Sequence, residues 1–246
     1  MPAGLWPILI VTTEPDPASL TGQTESHLCS SADAERLDAR VHREVVSPFL
    51  RLRDDAEVAG FDLRVVSGFR SFDRQISIWN RKATGALAAL DSAAVPLDIE
   101  RLSARELTYA ILRWSALPGA SRHHWGTDID VYDENARPEG YEIDLVPAEV
   151  EAGGMFGPLH EWLDERLADE TCHGFFRPYD DDRGGVAPER WHLSHAPVAV
   201  PHERAFSADH LRTTLSASDI ELKDTILEHL EDIYRRFVIN TNRQHT

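Results

Sequence analysis

The chain has 246 residues, 42% of them apolar, with 25 basic and 42 acidic side chains and a formal net charge of −17. That length and apolar share supply one good hydrophobic core, so one domain with appendages is expected. The acidity, with no run of Lys or Arg, argues against a nucleic-acid or anionic-membrane partner.

At the N-terminus the apolar run Leu5 to Val11 is interrupted by Pro7. It has no basic flank or small-residue cleavage site and is far shorter than a bilayer span, so a soluble cytoplasmic protein is expected. Residues 1–19 read as an N-terminal arm, and the Thr-, Pro-, Ser- and Asp-rich stretch 12–33 as irregular. From Ala34 to about Ala59, Leu37, Val41, Val45, Phe49, Leu52 and Ala56 recur every three or four residues. That spacing predicts one amphipathic helix, kinked at Pro48 and ended by Gly60. Phe61, Leu63 and Val65 alternate as a strand that delivers Ser67-Gly-Phe-Arg70 at its end. A helix with Phe72, Ile76, Trp79 and Ala83 follows, closed by Gly85. Ser103 and Glu106 form a capping box before Leu107, Ala110, Ile111 and Trp114, and Pro118-Gly119 stops that helix.

Tyr141, Ile143 and Leu145 alternate after Pro138-Glu-Gly140 and suggest a hairpin-like return. Pro158 starts a helix carrying Leu159, Trp162, Leu163 and Leu167 on one face. Gly153-Gly-Met-Phe-Gly157 reads as a turn, since no strand feeds it and no Lys follows. Phe175 and Phe176 lead through an acidic, Gly-rich loop to a strand at Arg190 to Ser194. Beyond Pro201 the sequence is polar until Ser218 and Glu221 cap a last helix with Ile226, Leu230, Ile233 and Phe237. Strands and helices do not alternate as in a parallel doubly wound sheet, so the fold class is α+β with a small antiparallel sheet flanked by helices. Cys29 and Cys172 are too few for a disulfide framework and read as inert thiols.

Two clusters carry chemistry. Ser121-Arg-His-His-Trp-Gly-Thr-Asp-Ile-Asp130 feeds a strand, on which Asp128 and Asp130 share one face while Ile129 and Val131 share the other. About sixty residues on stands Glu189-Arg-Trp-His192. His123, Asp130 and His192 form a three-ligand nitrogen and oxygen set that leaves zinc's fourth position open to water, and Glu189 is a spare carboxylate to act on it. Trp191 and Leu193 have the opposite parity from His192 and belong to the core. His27, His124, His160, His173 and His202 read as structural. His195 reads either as a support for the ligands or as an ordinary loop histidine.

The order Ser67-Gly-Phe-Arg70-Ser-x-x-x-Gln75, then Ser-x-His-x-x-Gly-x-x-x-Asp, then Glu-x-x-His resembles the zinc D-alanyl-D-alanine carboxypeptidases and dipeptidases of the VanY and VanX type, over residues 20 to 200. The resemblance implies a Hedgehog/DD-peptidase fold and one zinc per chain, with Glu189 as general base. It also implies that Arg70 supports an oxyanion and that Gln75 and Ser121 lie near the substrate. Two departures stand out. Asp128 occupies a place where the family often has a small residue, open to orienting a ligand, attracting a substrate amine or being solvated. VanY-type members tend to carry Arg-Tyr shortly after the second histidine, where this chain reads Trp191-His-Leu-Ser-His195.

The expected function is therefore hydrolysis of short peptidoglycan-type peptides near a D-alanyl end, by a domain at 20–200 followed by an extension at 201–246 with one helix. The alternatives are an L,D-carboxypeptidase, a murein endopeptidase, or a zinc-stabilised binding domain without turnover. The partner is a short peptide, with neither nucleic acid nor membrane, and the oligomeric state is left open.

Overall fold

The computed structural model describes residues 15–242, so the run Leu5 to Val11 lies outside the described residues. In chain order the helices of the first half are α1 (Pro17–Leu20), α2 (Ser31–Leu37), α3 (Val46–Val58), α4 (Phe72–Ala83) and α5 (Ala104–Trp114). Those of the second half are α6 (Pro147–Val150), α7 (Gly157–Ala168), α8 (Ala196–Ala205), α9 (Ala208–Ser216), α10 (Lys223–Glu228) and α11 (Leu230–Ile233). The strands β1 (Leu63–Ser67), β2 (Asp128–Asp133), β3 (Phe175–Phe176) and β4 (His192–His195) pair antiparallel in the spatial order β1-β2-β4-β3. This is the expected α+β class with a small antiparallel sheet.

Alternation along the strands splits the sheet into two unlike faces. Leu63, Val65, Ile129, Val131 and Leu193 pack against Phe49 and Leu52 of α3 and Leu159 and Leu163 of α7, all almost fully buried. A register shift between Val65 and Ser67 ends the clean β1–β2 pairing where the chain turns toward Arg70. The second large cluster joins Trp79 of α4 and Leu107, Ile111 and Leu112 of α5 to Leu211, Leu215, Ile226, Leu230, Ile233 and Phe237.

The expected single helix from Ala34 to Ala59 is two. Asp38 turns left-handed (φ 55°) and ends α2. The backbone of the following stretch is spent on neighbours: Arg40 accepts from the amide of Phe69 (2.6 Å), Val41 from that of Cys29 (2.9 Å), and His42 donates to the carbonyl of Gly126 (2.8 Å). Val41 and Val45 still reach the core, so their helix-like spacing is met by a non-helical segment. Pro48 lies in the first turn of α3, where a missing N–H leaves no ladder bond unmade.

The hairpin expected around Tyr141 to Leu145 does not form a strand. Glu149 instead gathers that loop, accepting from the Tyr141 hydroxyl (2.8 Å) and from the amides of Asp144 (3.0 Å) and Val146 (3.2 Å). The capping box at Ser103 and Glu106 is present. The one expected helix after Pro201 is replaced by a set of short ones, the first of which, α8, already begins at Ala196. Ser218 and Glu221 do not cap α10: Ser218 donates to the carbonyl of Leu215, and the amide of Glu221 donates to the side chain of Asn80 (2.9 Å). Tertiary bonds claimed the groups that the spacing had assigned to a cap. Cys29 and Cys172 are free thiols, and burial pushes the Cys172 thiol up to about 12, which keeps it protonated and inert.

Candidate active site

The site grows from the β2–β4 register. Asp130 pairs directly with His192 and Asp128 with Ser194, so four polar side chains share the sheet face opposite the apolar one. His123 comes from the 3-10 turn Arg122–Trp125, which closes at Gly126 with φ 67°. A Cβ at Gly126 would stand 2.6 Å from the backbone nitrogen of His42, so only glycine both makes this turn and admits that neighbour.

Each histidine presents one chosen nitrogen. His123 donates from Nδ1 to the carbonyl of Gly68 (2.9 Å), leaving Nε2 facing Asp130 Oδ2 at 3.3 Å. His192 donates from Nε2 to Asp128 Oδ1 (2.9 Å), leaving Nδ1 3.2 Å from Asp130 Oδ1 and 3.3 Å from Glu189 Oε2. One donor atom from each of His123, Asp130 and His192 lies within 4.8 Å of the others, and all three residues are buried. Asp130 Oδ1 is buried without a hydrogen-bond partner. Burial opposes charge on His192, but Asp128, Asp130 and Glu189 raise its pKa well above the usual imidazole value. Two open imidazole nitrogens, an orphaned carboxylate oxygen and this surplus of negative charge fit a divalent cation. The donor set is one that zinc takes in catalytic sites.

The role of Asp128, left open by the sequence, is resolved. It is fully buried, accepts from His192, from Arg122 Nε (2.7 Å), from Ser194 Oγ (3.0 Å) and from Thr127, and so fixes the His192 ring. Burial works against both charges of the Asp128–Arg122 pair, and their mutual attraction more than offsets it, lowering the carboxyl's pKa and raising the guanidinium's. Arg122 also binds Glu203 and, at 2.7 Å, Ser194 Oγ. The sequence reading missed Arg122 and Ser194, although each lies two residues or fewer from a proposed ligand. His195 points to the other face, its ring 5.2 Å from that of Phe175, and burial lowers its pKa to about 4. His124 is also structural: it accepts from the amide of Gly119 (3.0 Å) and donates to the carbonyl of Arg70 (2.6 Å).

A cavity of about 390 Å³ opens onto the three ligands and is lined by Arg70, Lys82, Ser121, Tyr179 and Glu189 among others. A larger cleft of about 690 Å³ around Arg36, Arg53 and Arg64 holds no comparable cluster. Arg70 donates to Gln75 Oε1 (3.0 Å) and Ser67 Oγ (3.1 Å); burial lowers its pKa, and Asp130 and Glu189 counter that. Gln75 is fully buried and donates to the carbonyl of Ala116 (2.7 Å). It therefore holds Arg70 from behind instead of facing the cavity, because one side of α4 packs on the segment after α5. Glu189 is tied by its amide to the carbonyl of Tyr179 (2.9 Å) and keeps its side chain partly open to the cavity.

A buried orienting carboxylate, two histidines, an aspartate and a glutamate lining the cavity define a metallohydrolase site. Residues 38–198 match the VanY family, D-alanyl-D-alanine carboxypeptidase. The chain belongs to that family and is a D-alanyl-D-alanine carboxypeptidase-like metallopeptidase. It is 34% identical over 125 residues to an uncharacterized protein of Haemophilus influenzae, covering 50% of this chain and 93% of that one. It is 26% identical over 218 residues to a D-alanyl-D-alanine carboxypeptidase of Enterococcus faecalis, covering 85% and 66%. The solved structure of VanYB in complex with D-alanine-D-alanine superposes with a TM-score of 0.49 at 18% identity, over 80% of this chain and 92% of that one. Among the described residues no helix is long and apolar enough to cross a membrane.

Proposed function

We propose that the chain removes the terminal D-alanine from cell-wall stem peptides, with one zinc ion held by His123, Asp130 and His192. The observation that carries this reading is the placement of Glu189 Oε2 3.3 Å from the open nitrogen of His192, beside the orphaned oxygen of Asp130, in a chain of the VanY family. Zinc bound in such a set supplies Lewis acidity and brings the pKa of a water toward about 7. Glu189 takes the proton of the attacking water and returns it to the leaving amine. Arg70 offers its guanidinium to the developing oxyanion. Its hydrogen-bond partners, Gln75 and Ser67, are neutral, so its charge is left for the substrate. Gln75 is a positioning residue for Arg70, and Ser121, on the cavity wall, is a substrate contact. Residues 20–200 form the peptidase domain in this reading, with the helices after 201 as an extension packed on α4 and α5.

The test is incubation of zinc-loaded protein with tri-, tetra- and pentapeptide stems and weighing of the products. Loss of one D-alanine from the pentapeptide is expected. Cleavage of the tetrapeptide alone would turn the assignment to an L,D-carboxypeptidase, and cleavage of none to a binding domain. Arg70→Ala should keep zinc and lower kcat about 10²- to 10³-fold. The location we propose is the cytoplasm, where imported wall fragments or recycled precursors would be met; recovery of the protein from an exported fraction would overturn it.

A further inference from the structure

We infer that Lys82 is the specificity residue of this site, its ammonium receiving the free C-terminal carboxylate of the peptide. The inference rests on the peptidase reading above and adds a residue to it. Gln75, Ile78 and Lys82 are spaced by three and four, so they share one side of α4. Gln75 lies under Arg70, and Ile78 and Lys82 line the cavity. The helix is pinned on that side at two points: Gln75 donates to the carbonyl of Ala116 (2.7 Å), and Lys82 Nζ to Ser115 Oγ (2.6 Å).

The cavity wall holds three cations, Arg70, Lys82 and Arg122. Arg122 is neutralised by Asp128 and Glu203. Lys82 is half-buried, forms no ion pair within 4.0 Å among the described residues, and spends one of its three N–H donors on a neutral hydroxyl. Burial and the nearby charge of Arg70 both lower its pKa, while Glu189 acts the other way. An ammonium held so, in a chain of net charge −17, is left for an anion. A carboxypeptidase substrate brings two oxygen-rich groups on adjacent residues, the scissile carbonyl and the terminal carboxylate. Arg70 meets the first, and Lys82, two turns along α4 from the Gln75 that holds Arg70, meets the second. The chain has only two lysines, Lys82 and Lys223. A compact ammonium with rotatable donors suits a single carboxylate in a confined corner, where a guanidinium fork demands more room.

The experiment compares a peptide ending in D-Ala-D-Ala as the free acid and as the C-terminal carboxamide, with wild type, Lys82→Met and Lys82→Arg, all zinc-loaded. Lys82→Met should raise KM for the acid about ten- to hundredfold, with a smaller change in kcat, and leave the amide untouched. Lys82→Arg should regain part of the acid preference. If Lys82 only props Ser115, acid and amide will lose in the same proportion, and the assignment is overturned. A second measurement needs no Lys82 variant. Acetylation of the folded Glu189→Gln protein is read at Lys82 and Lys223, and the acid peptide should protect Lys82 alone, whereas the amide should protect neither. Equal acetylation of Lys82 with and without the acid peptide would overturn the proposal. Wild-type turnover of the acid peptide checks the peptidase reading separately, so the two can fail independently.

Discussion

The two faces of the central sheet use the same strands and the same register for opposite purposes. On one face Ile129, Val131 and Leu193 meet α3 and α7, and their contribution is transfer of apolar surface from water. On the other, one residue away in each case, Asp128, Asp130, His192 and Ser194 form a network in which every charge has been taken out of water against a penalty. The difference teaches that the apolar face fixes the register, and the register then places the proposed ligands Asp130 and His192. A slip of one residue would send Asp130 and His192 into the core and Ile129 into the cavity.

Substitutions on each face test that division, and the largest effect is expected at the chemistry. Glu189→Gln keeps size and hydrogen bonding but cannot accept a proton at neutral pH. Turnover should fall roughly 10²- to 10⁴-fold, about 3 to 5 kcal/mol in the barrier. Zinc content and unfolding midpoint should stay as in the wild type, whereas Asp130→Ala or His192→Ala should lose the metal by elemental analysis. An active Glu189→Gln enzyme would end the general-base assignment.

Asp128→Ala should cross the boundary between the two kinds of effect. It leaves the buried Arg122 with Glu203 as its one remaining carboxylate partner, which costs about 1 to 3 kcal/mol in urea unfolding. It also frees the His192 ring, for a loss of about 10- to 100-fold in zinc affinity by competition with a chelator. Unchanged zinc affinity would show that His192 is oriented by something else.

Leu193→Ala sharpens the comparison from the other side. This fully buried residue lies between Asp130's partner and Ser194, yet points away from both. A loss of about 2 to 5 kcal/mol in stability is expected, with the zinc affinity of the folded protein intact. A matching fall in affinity would mean that the faces are not separable.

Taken per pH unit, the smallest effect is a slope with pH. Burial lowers His160 to about 3, with Arg177 and Arg190 adding to it; burial likewise lowers His42 to about 3 and His27 to about 4. Their unfolded value is 6.5, so between there and the folded values the unfolded chain binds more protons. Stability is therefore full above pH 6.5 and is lost on acidification toward about 3. The fully buried His160 alone should contribute up to about 1.4 kcal/mol per pH unit in that window. Denaturant midpoints measured across it should fall, and His160→Gln should flatten the slope.

Sequence by itself determined the elements whose pattern is local. The alternation of Ile129 and Val131 marked β2, Ser103 and Glu106 marked the start of α5, and the spacing of His123, Asp130, Glu189 and His192 marked the family and the proposed site. Each of these depends on neighbours within a few residues, or on a motif whose order survives in the chain. What only the tertiary structure decided depends on groups brought from far away. Arg40 and His42 could not be helical because Phe69 and Gly126 needed their carbonyl and amide. Tyr141 to Leu145 form no strand, and Glu149 takes the amides of Asp144 and Val146 and the Tyr141 hydroxyl instead. Asp128 looked equally suited to solvent, a substrate amine or a ligand until Arg122, His192 and Ser194 closed around it. A buried carboxylate takes its meaning from its partners, and here the β2–β4 pairing brings His192 and Ser194 from more than sixty residues away while the turn before β2 brings Arg122.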